Sequence, residues 1–392
     1  MRYFNEFHLL LLMIFKRKLQ KQLEKWLFKK KILIVYGPRQ VGKTTLVKAI
    51  MEKYPEKAAY FNCEDFQIKQ NLEILSTEHL KKYLGSYKLV ILDEAHLVVN
   101  IGKTLKLIWD SMPDVQVIAT GSSSFELSNK VNEPLTGRAL EFKLYPLSIA
   151  EISEKYDKFQ LQTVLKNILR YGNYPEVINA DAEHAPIFAR DIANKYLFKD
   201  ILEFEGIKNS DLILKLLQAL ALQIGNEVSF TEIGNMLGIS KNTATRYVDL
   251  LEKCFVIYRL KPFNRNLRNE INKKQKIYFY DLGIRNSIIN NFNDADLRTD
   301  KGALWENFLV IERLKRNQYE EKLVNSYFWR TYDQKEIDYL EEAEGKLNGF
   351  EFKWRAGQFS GKFKKQQDFL DAYHGSTLTL INQENYFDFV GV

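Results

Sequence analysis

The chain has 392 residues, 45% of them hydrophobic and 13% aromatic, and its formal net charge at pH 7 is +7. This length and composition exclude a disordered chain and a small single-core fold, and they predict about two or three folded domains. The positive charge is concentrated, because residues 1–31 and 228–276 carry most of the excess of Lys and Arg over Asp and Glu.

The cysteines and the N-terminal apolar run indicate in which cellular compartment the protein is expected. Cys63 and Cys254 lie far apart without metal-ligand or redox spacing, which predicts neither a disulfide nor a zinc site and favours a reducing cytoplasm. The apolar run at residues 8–15 is far shorter than the roughly 20 residues that cross a bilayer, and no cleavage site follows it. We therefore expect a cytoplasmic protein with no export signal and no integral membrane segment.

Short apolar runs alternate with helical patterns over the first 120 residues. The runs are residues 32–36, 58–61, 89–92 and 115–119. This alternation predicts an α/β fold with a parallel sheet buried on both faces. From about residue 149 to residue 225 the pattern is helical, which predicts a lid or connector, and strand-like runs return only after Lys276.

The first apolar run leads into a phosphate-binding motif. Residues 37–44 read Gly-Pro-Arg-Gln-Val-Gly-Lys-Thr, which matches G-x-x-x-x-G-K-[ST] between a predicted strand and a predicted helix. The glycines let backbone N–H groups converge on phosphates, and we expect Lys43 to reach the β- and γ-phosphates and Thr44 to bind Mg²⁺. The predicted ATP-binding residues are Gly37, Pro38, Arg39, Gln40, Val41, Gly42, Lys43, Thr44 and Thr45.

About fifty residues further, an apolar strand ends in two carboxylates, which is the Walker B arrangement. We expect Asp93 to hold Mg²⁺, directly or through water, and Glu94 to act as general base toward the attacking water. The alternative is a solvated acidic turn. His96 completes an Asp-Glu-Ala-His string that resembles a helicase box, but no other helicase motif accompanies it.

Two further polar positions are candidates for catalysis. Thr-Gly-Ser-Ser follows the run at 115–119, so Ser122 and Ser123 are predicted sensors of the γ-phosphate, with an ordinary polar turn as the alternative. Arg138 is predicted on a loop. It is either an arginine finger, for its own nucleotide or for that of a neighbouring subunit in a homo-oligomer, or a member of a surface ion pair.

Together these motifs resemble prokaryotic AAA-family ATPases that carry a C-terminal domain of unknown function, and the resemblance runs nearly end to end. It rests on residues 37–46, 92–96, 120–124, 135–138 and the Leu-Tyr-Pro-Leu-Ser string at 144–148. It implies ATP binding and hydrolysis with Mg²⁺. The chain departs from the family at Asn173, where the family usually shows a second glycine after Gly172.

Residues 228–253 have the pattern of a helix-turn-helix. Gly238 suits the tight turn and Ser240 can cap the second helix. The predicted inward residues are Ala244, Val248 and Leu251, and the predicted DNA-contacting residues are Lys241, Asn242, Thr245 and Arg246.

More basic residues downstream would extend the positive field of a winged helix on DNA. They are Arg259, Lys261, Arg265, Arg268, Lys273, Lys274 and Lys276. The alternative is that this unit serves as a lid or docking module and its basic face is only solvated.

The C-terminal segment contains the spacing D-x(12)-E-x-K. Asp338 lies on one predicted strand, and Glu351 and Lys353 share a face of the next strand because they are two residues apart. This spacing resembles the PD-(D/E)xK nuclease-like fold, in which the carboxylates bind Mg²⁺, the lysine positions water and a helical glutamate, here Glu306, assists. The alternative is the same fold without cleavage, with Glu351 and Lys353 as a same-face ion pair.

The sequence therefore predicts three parts. They are an AAA-type P-loop ATPase domain with a helical lid (16–205), a winged helix-turn-helix (206–276) and an α/β restriction-endonuclease-like domain of the PD-(D/E)xK type (277–392). We expect ATP and Mg²⁺ as cofactors and double-stranded DNA as the partner. The alternative function is a nucleotide-gated switch that binds a partner protein and touches no nucleic acid.

Overall fold

The computed structural model describes residues 14–122, 135–202, 210–264, 274–331, 335–355 and 363–392. Its strands form two sheets, one in the N-terminal third and one built from the rest of the chain. Buried apolar side chains from Phe15 to Val390 belong to one contiguous core, so the parts of the chain pack closely together. None of the helices within these ranges is both long enough and apolar enough to cross a bilayer.

The N-terminal sheet has five parallel strands in the order β2-β3-β4-β1-β5. Its central strands are buried along their whole length, as expected for strands that are covered on both faces. The strands are β1 (Ile32–Tyr36), β2 (Ala58–Asn62), β3 (Leu89–Asp93), β4 (Gln116–Gly121) and β5 (Ala139–Lys143). The predicted parallel α/β sheet is confirmed, whereas β5 at its edge was not predicted.

Helices cover both faces of this sheet. They are α1 (Leu19–Trp26), α2 (Lys43–Met51), α3 (Phe66–Glu73), α4 (Thr77–Leu84) and α5 (Ile101–Ser111), with a 3₁₀ turn at Ala95–Leu97. Helix α3 starts where the Asp65 side chain accepts hydrogen bonds from the first free N–H groups, and Ser76 does the same for α4.

A helical connector follows the sheet, as predicted. Capping boxes start its first two helices, one formed by Ser148 and Glu151 and one by Asp157 and Gln160. Its helices are α6 (Ile149–Ile152), α7 (Lys158–Tyr171), α8 (Pro175–Ile178), α9 (Ala185–Leu202) and α10 (Ser210–Leu222).

Two helices joined by a tight turn come next, flanked by three short strands. The elements are β6 (Glu227–Val228), α11 (Phe230–Leu237), α12 (Lys241–Lys253), β7 (Ile257–Pro262) and β8 (Gln275–Phe279). Gly238 has a φ of 68°, and the Ser240 hydroxyl accepts a hydrogen bond from the Thr243 N–H at 3.1 Å. The predicted turn and helix cap are confirmed, and the predicted inward residues Ala244, Val248 and Leu251 are buried.

The C-terminal part is a mixed α/β unit. After α13 (Leu282–Ile288), which packs on the connector, come α14 (Lys301–Tyr319), β9 (Asn325–Arg330), β10 (Glu336–Ala343), β11 (Lys346–Phe352), α15 (Phe363–Ala372), β12 (Thr377–Ile381) and α16 (Tyr386–Val390). Strand β10 pairs antiparallel with β9 and β11, and β12 pairs parallel with β11.

One parallel pairing joins the strands of the middle unit to those of the C-terminal unit. Strand β7 lies beside β9 with Lys261 opposite Tyr327, and the Phe263 N–H donates to the Phe328 carbonyl at 2.7 Å. The result is a single seven-stranded sheet in the order β12-β11-β10-β9-β7-β8-β6.

Candidate functional site

The loop between β1 and α2 has the strand-loop-helix context that the predicted phosphate-binding motif requires. It begins at Gly37, directly after Tyr36, and α2 starts at Lys43. Gly42 has a φ of 94°, a conformation that side chains rarely adopt. A Cβ at Gly37 would lie 2.2 Å from the Leu144 carbonyl oxygen. The shape of the loop therefore requires both glycines.

The Lys43 side chain lies inside this loop. It is buried, and its Nζ donates hydrogen bonds to the carbonyls of Gly37 and Pro38 at 2.9 and 3.0 Å. The first turn of α2 adds its unsatisfied N–H groups and the positive end of the helix dipole at the same place. The loop thus combines a fixed ammonium with backbone donors, which is the arrangement that binds phosphate groups.

The Asp93 carboxylate at the end of β3 is the centre of a hydroxyl cluster. The hydroxyls of Thr44 and Tyr60 each donate to its Oδ2 at 2.6 Å, and the Thr120 hydroxyl donates to Oδ1. The two predicted Mg²⁺ ligands, Thr44 and Asp93, are therefore in direct contact. Their hydroxyl and carboxylate oxygens fit Mg²⁺, which prefers hard oxygen donors.

Sequence reasoning missed Tyr60 and Thr120 in this cluster. Both lie on strands that neighbour β3, Tyr60 in the middle of Ala58–Asn62 and Thr120 near the carboxyl end of Gln116–Gly121. Thr120 directly follows the apolar run at 115–119, which was an available signal because polar residues at the ends of parallel strands meet at one edge of the sheet, whereas Tyr60 lies within its run and gave no such signal. The strand order that brings them to Asp93 was not readable from the sequence.

Glu94 follows Asp93 in a left-handed backbone conformation, with φ 50° and ψ 41°. Burial raises the pKa of Glu94 above its ordinary value; Lys43 opposes this shift and Asp93 adds to it. The Glu94 Oε2 lies 3.3 Å from the His96 Nδ1, and the His96 Nε2 lies 3.4 Å from the Ser122 Oγ. The predicted base and the predicted sensor thus both lie beside the His96 ring, although the approach of Glu94 to His96 does not have the geometry of a hydrogen bond. Ser123 lies outside the described residues.

A cavity of about 490 Å³ adjoins the phosphate-binding loop. Gln40 and Thr45 are exposed toward solvent at this side of the loop, whereas Arg39 is half-buried. The lining residues are Ile14, Phe15, Arg17, Gln40, Val41, Gly42, Thr45, Leu147, Pro175, Glu176 and Asn179. The connector helix α8 therefore contributes to the wall of this cavity.

Arg138 lies at the other edge of the sheet from this site. Its carbonyl accepts a hydrogen bond from the Ile32 N–H at the start of β1, whereas the loop follows the end of β1, roughly 15 Å further along the strand. Its guanidinium lies 3.3 Å from Asp110 and 5.0 Å from the Trp109 ring centroid. The structure therefore does not bring Arg138 to the loop of its own chain, because the length of β5 separates the two, and it places the guanidinium in the surface ion pair that was the alternative.

Replacing Arg138 by alanine is expected to leave ATP hydrolysis unchanged and to cost less than about 1 kcal/mol in the free energy of unfolding. The guanidinium makes only a half-exposed ion pair and a ring contact. Steady-state hydrolysis and urea denaturation of wild type and variant measure both effects. A large loss of hydrolysis would instead mean that Arg138 acts on the nucleotide of a neighbouring subunit.

The predicted DNA-contacting residues lie on the outer side of α12. Lys241, Asn242 and Arg246 are exposed, and Thr245 is half-buried with its hydroxyl donating to the Lys241 carbonyl at 2.9 Å. The Arg246 guanidinium stacks at 5.5 Å over the ring of Tyr247. Three of the four side chains are thus accessible to a partner, while the Thr245 hydroxyl is used within its own helix.

Two of the basic residues that were predicted to extend the positive surface beyond α12 do not contribute to it. Arg259 is paired with Asp249 at 2.6 Å and with Glu252, and Lys276 is 1% exposed, so neither contributes to a basic surface. Both predictions are wrong because carboxylates of the same fold neutralise these groups. Lys261 and Lys274 are exposed, whereas Arg265, Arg268 and Lys273 lie outside the described residues.

Four carboxylates and two lysines meet where β10 and β11 approach the first turns of α14. The carboxylates, called the acidic cluster below, are Glu306, Glu336, Asp338 and Glu351. The lysines are Lys276, which comes from β8, and Lys353. The cluster therefore contains all four residues of the predicted nuclease-like motif together with Lys276, which belongs to the preceding unit.

Lys276 is the most deeply buried cation of the cluster. Its Nζ lies 2.8 Å from the Glu306 Oε1 and 2.5 Å from the Glu336 Oε1, and the Tyr278 hydroxyl donates to Glu306 at 2.6 Å. Burial lowers the pKa of Lys276, but Glu306, Asp338 and Glu336 outweigh it and raise that pKa above its ordinary value. Burial raises the pKa of Glu306 to about 7, against the opposing charge of Lys276.

The remaining residues of the motif are bound to one another. Lys353 Nζ donates to the Glu351 Oε1 at 2.5 Å, and the Asp338 Oδ2 accepts a hydrogen bond from the Phe352 N–H at 2.8 Å. In the described part of the chain, no group of three or more His, Cys, Asp or Glu side chains is placed to hold a metal ion. The predicted Mg²⁺ site at Glu306, Asp338 and Glu351 therefore does not fit this arrangement, because lysines lie between the carboxylates.

Three segments of the chain match known sequence families. Residues 29–153 match a profile described as an AAA domain. Residues 162–295 and 301–388 match two profiles described as domains of unknown function, DUF8612 and DUF4143. The first segment holds β1 to β5 and the phosphate-binding loop, the second holds the two helices around Gly238, and the third holds α14 and the strands β9 to β12.

Curated relatives are similar over most of the chain. An uncharacterised protein of Methanocaldococcus jannaschii is 26% identical over 318 residues, which cover 70% of this chain and 65% of that protein, less than two thirds of its length. An uncharacterised protein of Mycobacterium tuberculosis is 26% identical over 87% of this chain and 74% of its own. One of Haemophilus influenzae is 25% identical over 79% of each.

Two solved structures show a weaker likeness. The RuvB Holliday junction branch migration motor of Thermotoga maritima matches 62% of this chain and 90% of its own, with 15% identity and a TM-score of 0.33. A signal transduction ATPase with numerous domains from Pyrococcus horikoshii matches 78% and 46%, with 14% identity and a TM-score of 0.30. Scores this low do not establish a common overall fold. On the sequence profile and the loop geometry, residues 29–153 form an AAA domain of the P-loop ATPase class, and C-terminal domains of unknown function follow it.

Proposed function

We propose that the chain binds ATP with Mg²⁺, hydrolyses it, and uses hydrolysis to rearrange a C-terminal half that acts on DNA. The observation that carries the ATP part is the contact of Thr44 with Asp93 beside the buried Lys43. One small site then holds a cation for the phosphates, two oxygen ligands for Mg²⁺ and, in Glu94, a neighbouring carboxylate that can accept a proton.

The groups of the loop have separate roles in ATP binding. Backbone N–H groups of residues 37–42 and the start of α2 bind phosphate oxygens, and the Lys43 ammonium exchanges the carbonyls of Gly37 and Pro38 for the β- and γ-phosphates. Thr44 and Asp93 would hold Mg²⁺, which supplies positive charge to the phosphates when bound. The adjoining cavity of about 490 Å³ is large enough for a base and a ribose.

Glu94 is the proposed general base. Its buried position raises its pKa, which makes the carboxylate a better proton acceptor than an exposed glutamate. His96 is hydrogen-bonded to Ser122 and lies 3.3 Å from Glu94, so the three side chains are neighbours at one edge of the sheet. A sensor role for Ser122 is supported by this connection, since displacement of the serine by a γ-phosphate would reach the base through His96.

The proposed DNA-binding part is a winged helix-turn-helix. Strand β8 pairs antiparallel with β6, which precedes the two helices, and with β7, which follows them, and this arrangement supports that fold. The exposed Lys241, Asn242 and Arg246 supply charge for phosphates and donors for base edges. The ion-paired Arg259 and the buried Lys276 make the basic face narrower than that of a strongly cationic DNA binder.

The element order of the C-terminal unit supports a nuclease-like fold. Helix α14 precedes three antiparallel strands, and α15 leads to a fourth strand that lies parallel to the third. Because Lys276 and Lys353 are bound to the carboxylates of the acidic cluster, we propose a domain that keeps this fold without metal-dependent cleavage. Retention of intact DNA after incubation with Mg²⁺, in wild type and Glu351→Ala alike, is the expected result.

Double-stranded DNA is expected to stimulate ATP hydrolysis by the wild type, and Lys43→Ala, which lacks the phosphate-binding ammonium, is expected to show no hydrolysis with or without DNA. DNA affinity should fall steeply with salt. The Lys241→Ala/Arg246→Ala variant should reduce the slope of log affinity against log salt by about 2, because about 0.9 counterions are released per phosphate contact. Fluorescence anisotropy of a labelled duplex at several salt concentrations measures this slope.

The matched control is Lys158→Ala/Arg170→Ala, which removes two positive charges from α7 of the connector and should leave the slope unchanged. The proposed action on DNA would be contradicted by two results together: ATP hydrolysis that depends on Lys43 but is not stimulated by DNA, and equal slopes of log DNA affinity against log salt in the wild type and all variants. The nucleotide-gated protein switch would then account for the chain, and the ion-paired Arg259 and the buried Lys276 are the observations in its favour.

A further inference from the structure

A buried arginine outside the nucleotide-binding motifs is hydrogen-bonded to the phosphate-binding loop. Arg17 precedes α1 and is 6% exposed. Its Nη1 donates to the Val41 carbonyl at 2.5 Å, its Nη2 to the Tyr145 carbonyl at 2.6 Å, and its Nε to the Glu151 Oε1 at 3.0 Å. One guanidinium therefore holds three segments together: the loop, the turn after β5, and α6.

The Arg17 guanidinium stays positively charged although it is buried. Burial lowers the pKa of Arg17, but Glu151 and Tyr319 outweigh it and raise the pKa above its ordinary value. Glu151 is fully buried and also accepts hydrogen bonds from the Lys18 N–H at 2.8 Å and from the Ser148 N–H at 2.9 Å. The position of the Arg17 guanidinium is therefore fixed by its other hydrogen bonds, and the loop carbonyl that it binds is restrained as well.

The contact with Val41 bears on phosphate binding. The Val41–Gly42 peptide is trans, so its carbonyl and its N–H point in opposite directions. Because Arg17 holds the Val41 carbonyl, it also fixes the direction of the Gly42 N–H, which is one of the loop donors expected to bind phosphate oxygens. Arg17 thus fixes the direction of a phosphate donor without touching the nucleotide phosphates itself.

Tyr145, which accepts a hydrogen bond from Arg17, also contacts the C-terminal end of α14. The Tyr145 N–H donates to the Tyr319 hydroxyl at 3.3 Å, and the Tyr145 hydroxyl donates to the Gln318 Oε1 at 2.5 Å. The Gln22 Nε2 donates to the carbonyls of Gln318 and Tyr319 at 2.9 and 2.8 Å. The residues that support the loop are therefore the residues that hold the last turn of α14.

Helix α14 continues from this contact into the acidic cluster. One turn before Gln318, Lys315 donates to the Leu147 carbonyl at 3.1 Å, and Glu312 accepts the Ile149 N–H at 2.7 Å. About 20 Å from its last turn, α14 carries Glu306, which is bound to Lys276. Helix α14 thus has one end against Tyr145, which is bound to Arg17, and carries near its other end the contact between the middle and C-terminal units.

We propose that Arg17 is a positioning residue that sets the Gly42 N–H for phosphate binding and couples the nucleotide state of the loop to α14. The proposal rests on the proposed ATP binding and adds the route by which the C-terminal half responds to it. Phosphates that draw in the Gly42 N–H also move the Val41 carbonyl, because the peptide unit is planar and rigid, and the shift passes through Arg17 and Tyr145 to Tyr319. A lysine cannot replace Arg17, because a single ammonium cannot bind three acceptors in one plane.

The test combines a titration with a fluorescent ATP analogue and hydrogen–deuterium exchange of residues 301–319, on the full chain with Mg²⁺ and a non-hydrolysable analogue. In the wild type, nucleotide is expected to slow exchange in the last turns of α14. Arg17→Lys should weaken nucleotide binding by about tenfold or more, since hydrogen bonds to a charged group are lost. At saturating nucleotide it should leave exchange in α14 unchanged.

Two further variants separate coupling from folding. Tyr319→Phe removes the hydroxyl that Tyr145 contacts and that also interacts with Arg17. It leaves the hydrogen bonds of Arg17 to Val41, Tyr145 and Glu151 in place, so it should bind nucleotide nearly as the wild type does, without the response of α14. Lys25→Gln is the matched control, because Lys25 joins α1 to Glu321 beyond α14 through an exposed pair at 2.7 Å and does not touch the loop. It should keep both properties.

The outcomes distinguish this proposal from the proposed function. If the wild type binds no more nucleotide than Lys43→Ala, ATP binding itself is refuted, and the coupling with it. If the wild type binds nucleotide and Arg17→Lys or Tyr319→Phe still shows slowed exchange in α14, the coupling is refuted while ATP binding stands. Loss of the response in both variants, with the response kept in Lys25→Gln, supports the proposal.

Discussion

Glu94→Gln is expected to bind ATP as tightly as the wild type and to hydrolyse it about 10²–10⁴ times more slowly. The glutamine has nearly the same shape as the glutamate and keeps the backbone of the β3 end in place, so Lys43, Thr44 and Asp93 are undisturbed. An amide cannot accept the proton of the attacking water, which is the role given to Glu94. Initial rates of phosphate release and a nucleotide titration measure the two properties separately.

Glu64→Gln is the matched control for this experiment. Glu64 is an exposed carboxylate near enough to Glu94 to influence its pKa, but it is not part of the hydroxyl cluster around Asp93. Its replacement should leave both binding and hydrolysis unchanged. Equal turnover in the wild type and in Glu94→Gln would falsify the general-base role and leave the phosphate-binding loop as a binding site only.

Lys276→Met is expected to lower the free energy of unfolding by about 3–5 kcal/mol, because removal of one partner leaves buried charge without compensation. Methionine fills much of the volume of the lysine stem, so the loss is chiefly electrostatic. Glu306 and Glu336 would face Asp338 without the cation that now lies 2.8 and 2.5 Å from them. Urea denaturation followed by tryptophan fluorescence measures the change.

Two comparisons make this result specific. Lys274→Met changes an exposed lysine near the start of the same strand, 3.6 Å from an exposed Glu232, and should alter stability by less than about 0.5 kcal/mol. Lys276→Met/Glu306→Gln removes a negative charge together with the positive one and should recover part of the loss. If Lys276→Met and Lys274→Met are equally stable, the charge balance of the acidic cluster does not hold these units together.

The nucleotide site could be predicted from the sequence because its parts are local. The loop, Lys43 and Thr44 are neighbours in the chain, and Asp93 follows an apolar strand whose direction the α/β pattern already indicates. The position of Arg138 could not be predicted, because it depends on a strand that begins at the next residue. Charged side chains within Ala139–Lys143 hide that strand, which lies at the sheet edge and is only partly buried.

Lys276 shows a second limit of sequence reasoning. It follows other lysines at 273 and 274, so it reads as part of a basic surface, yet its partner Glu306 is 30 residues away on α14. Its burial is decided by the docking of two units and not by its neighbours in the chain. The residues of the nuclease-like motif could be found from their spacing in the sequence. Lys276, which neutralises Glu306 and Glu336, belongs to no such spaced motif.

The departure from the family at Asn173 has a structural reason. Gly172 is kept because a Cβ there would lie 2.2 Å from the Asp281 Oδ1. The next residue has room for a side chain, and the Asn173 Nδ2 donates to the Leu147 carbonyl and, at 3.3 Å, to Glu312 on α14. The asparagine thus adds a bond between the connector and α14 at a place where a glycine would add none.

The shared seven-stranded sheet limits how this chain can be divided. The two C-terminal sequence families meet between residues 295 and 301, but the pairing of β7 with β9 crosses that border. A fragment cut there would present an open strand edge with unpaired N–H and carbonyl groups, which invites aggregation. The border between the families is therefore a border between sequence segments and not between separable units of the fold, because strands from both sides of it belong to one sheet.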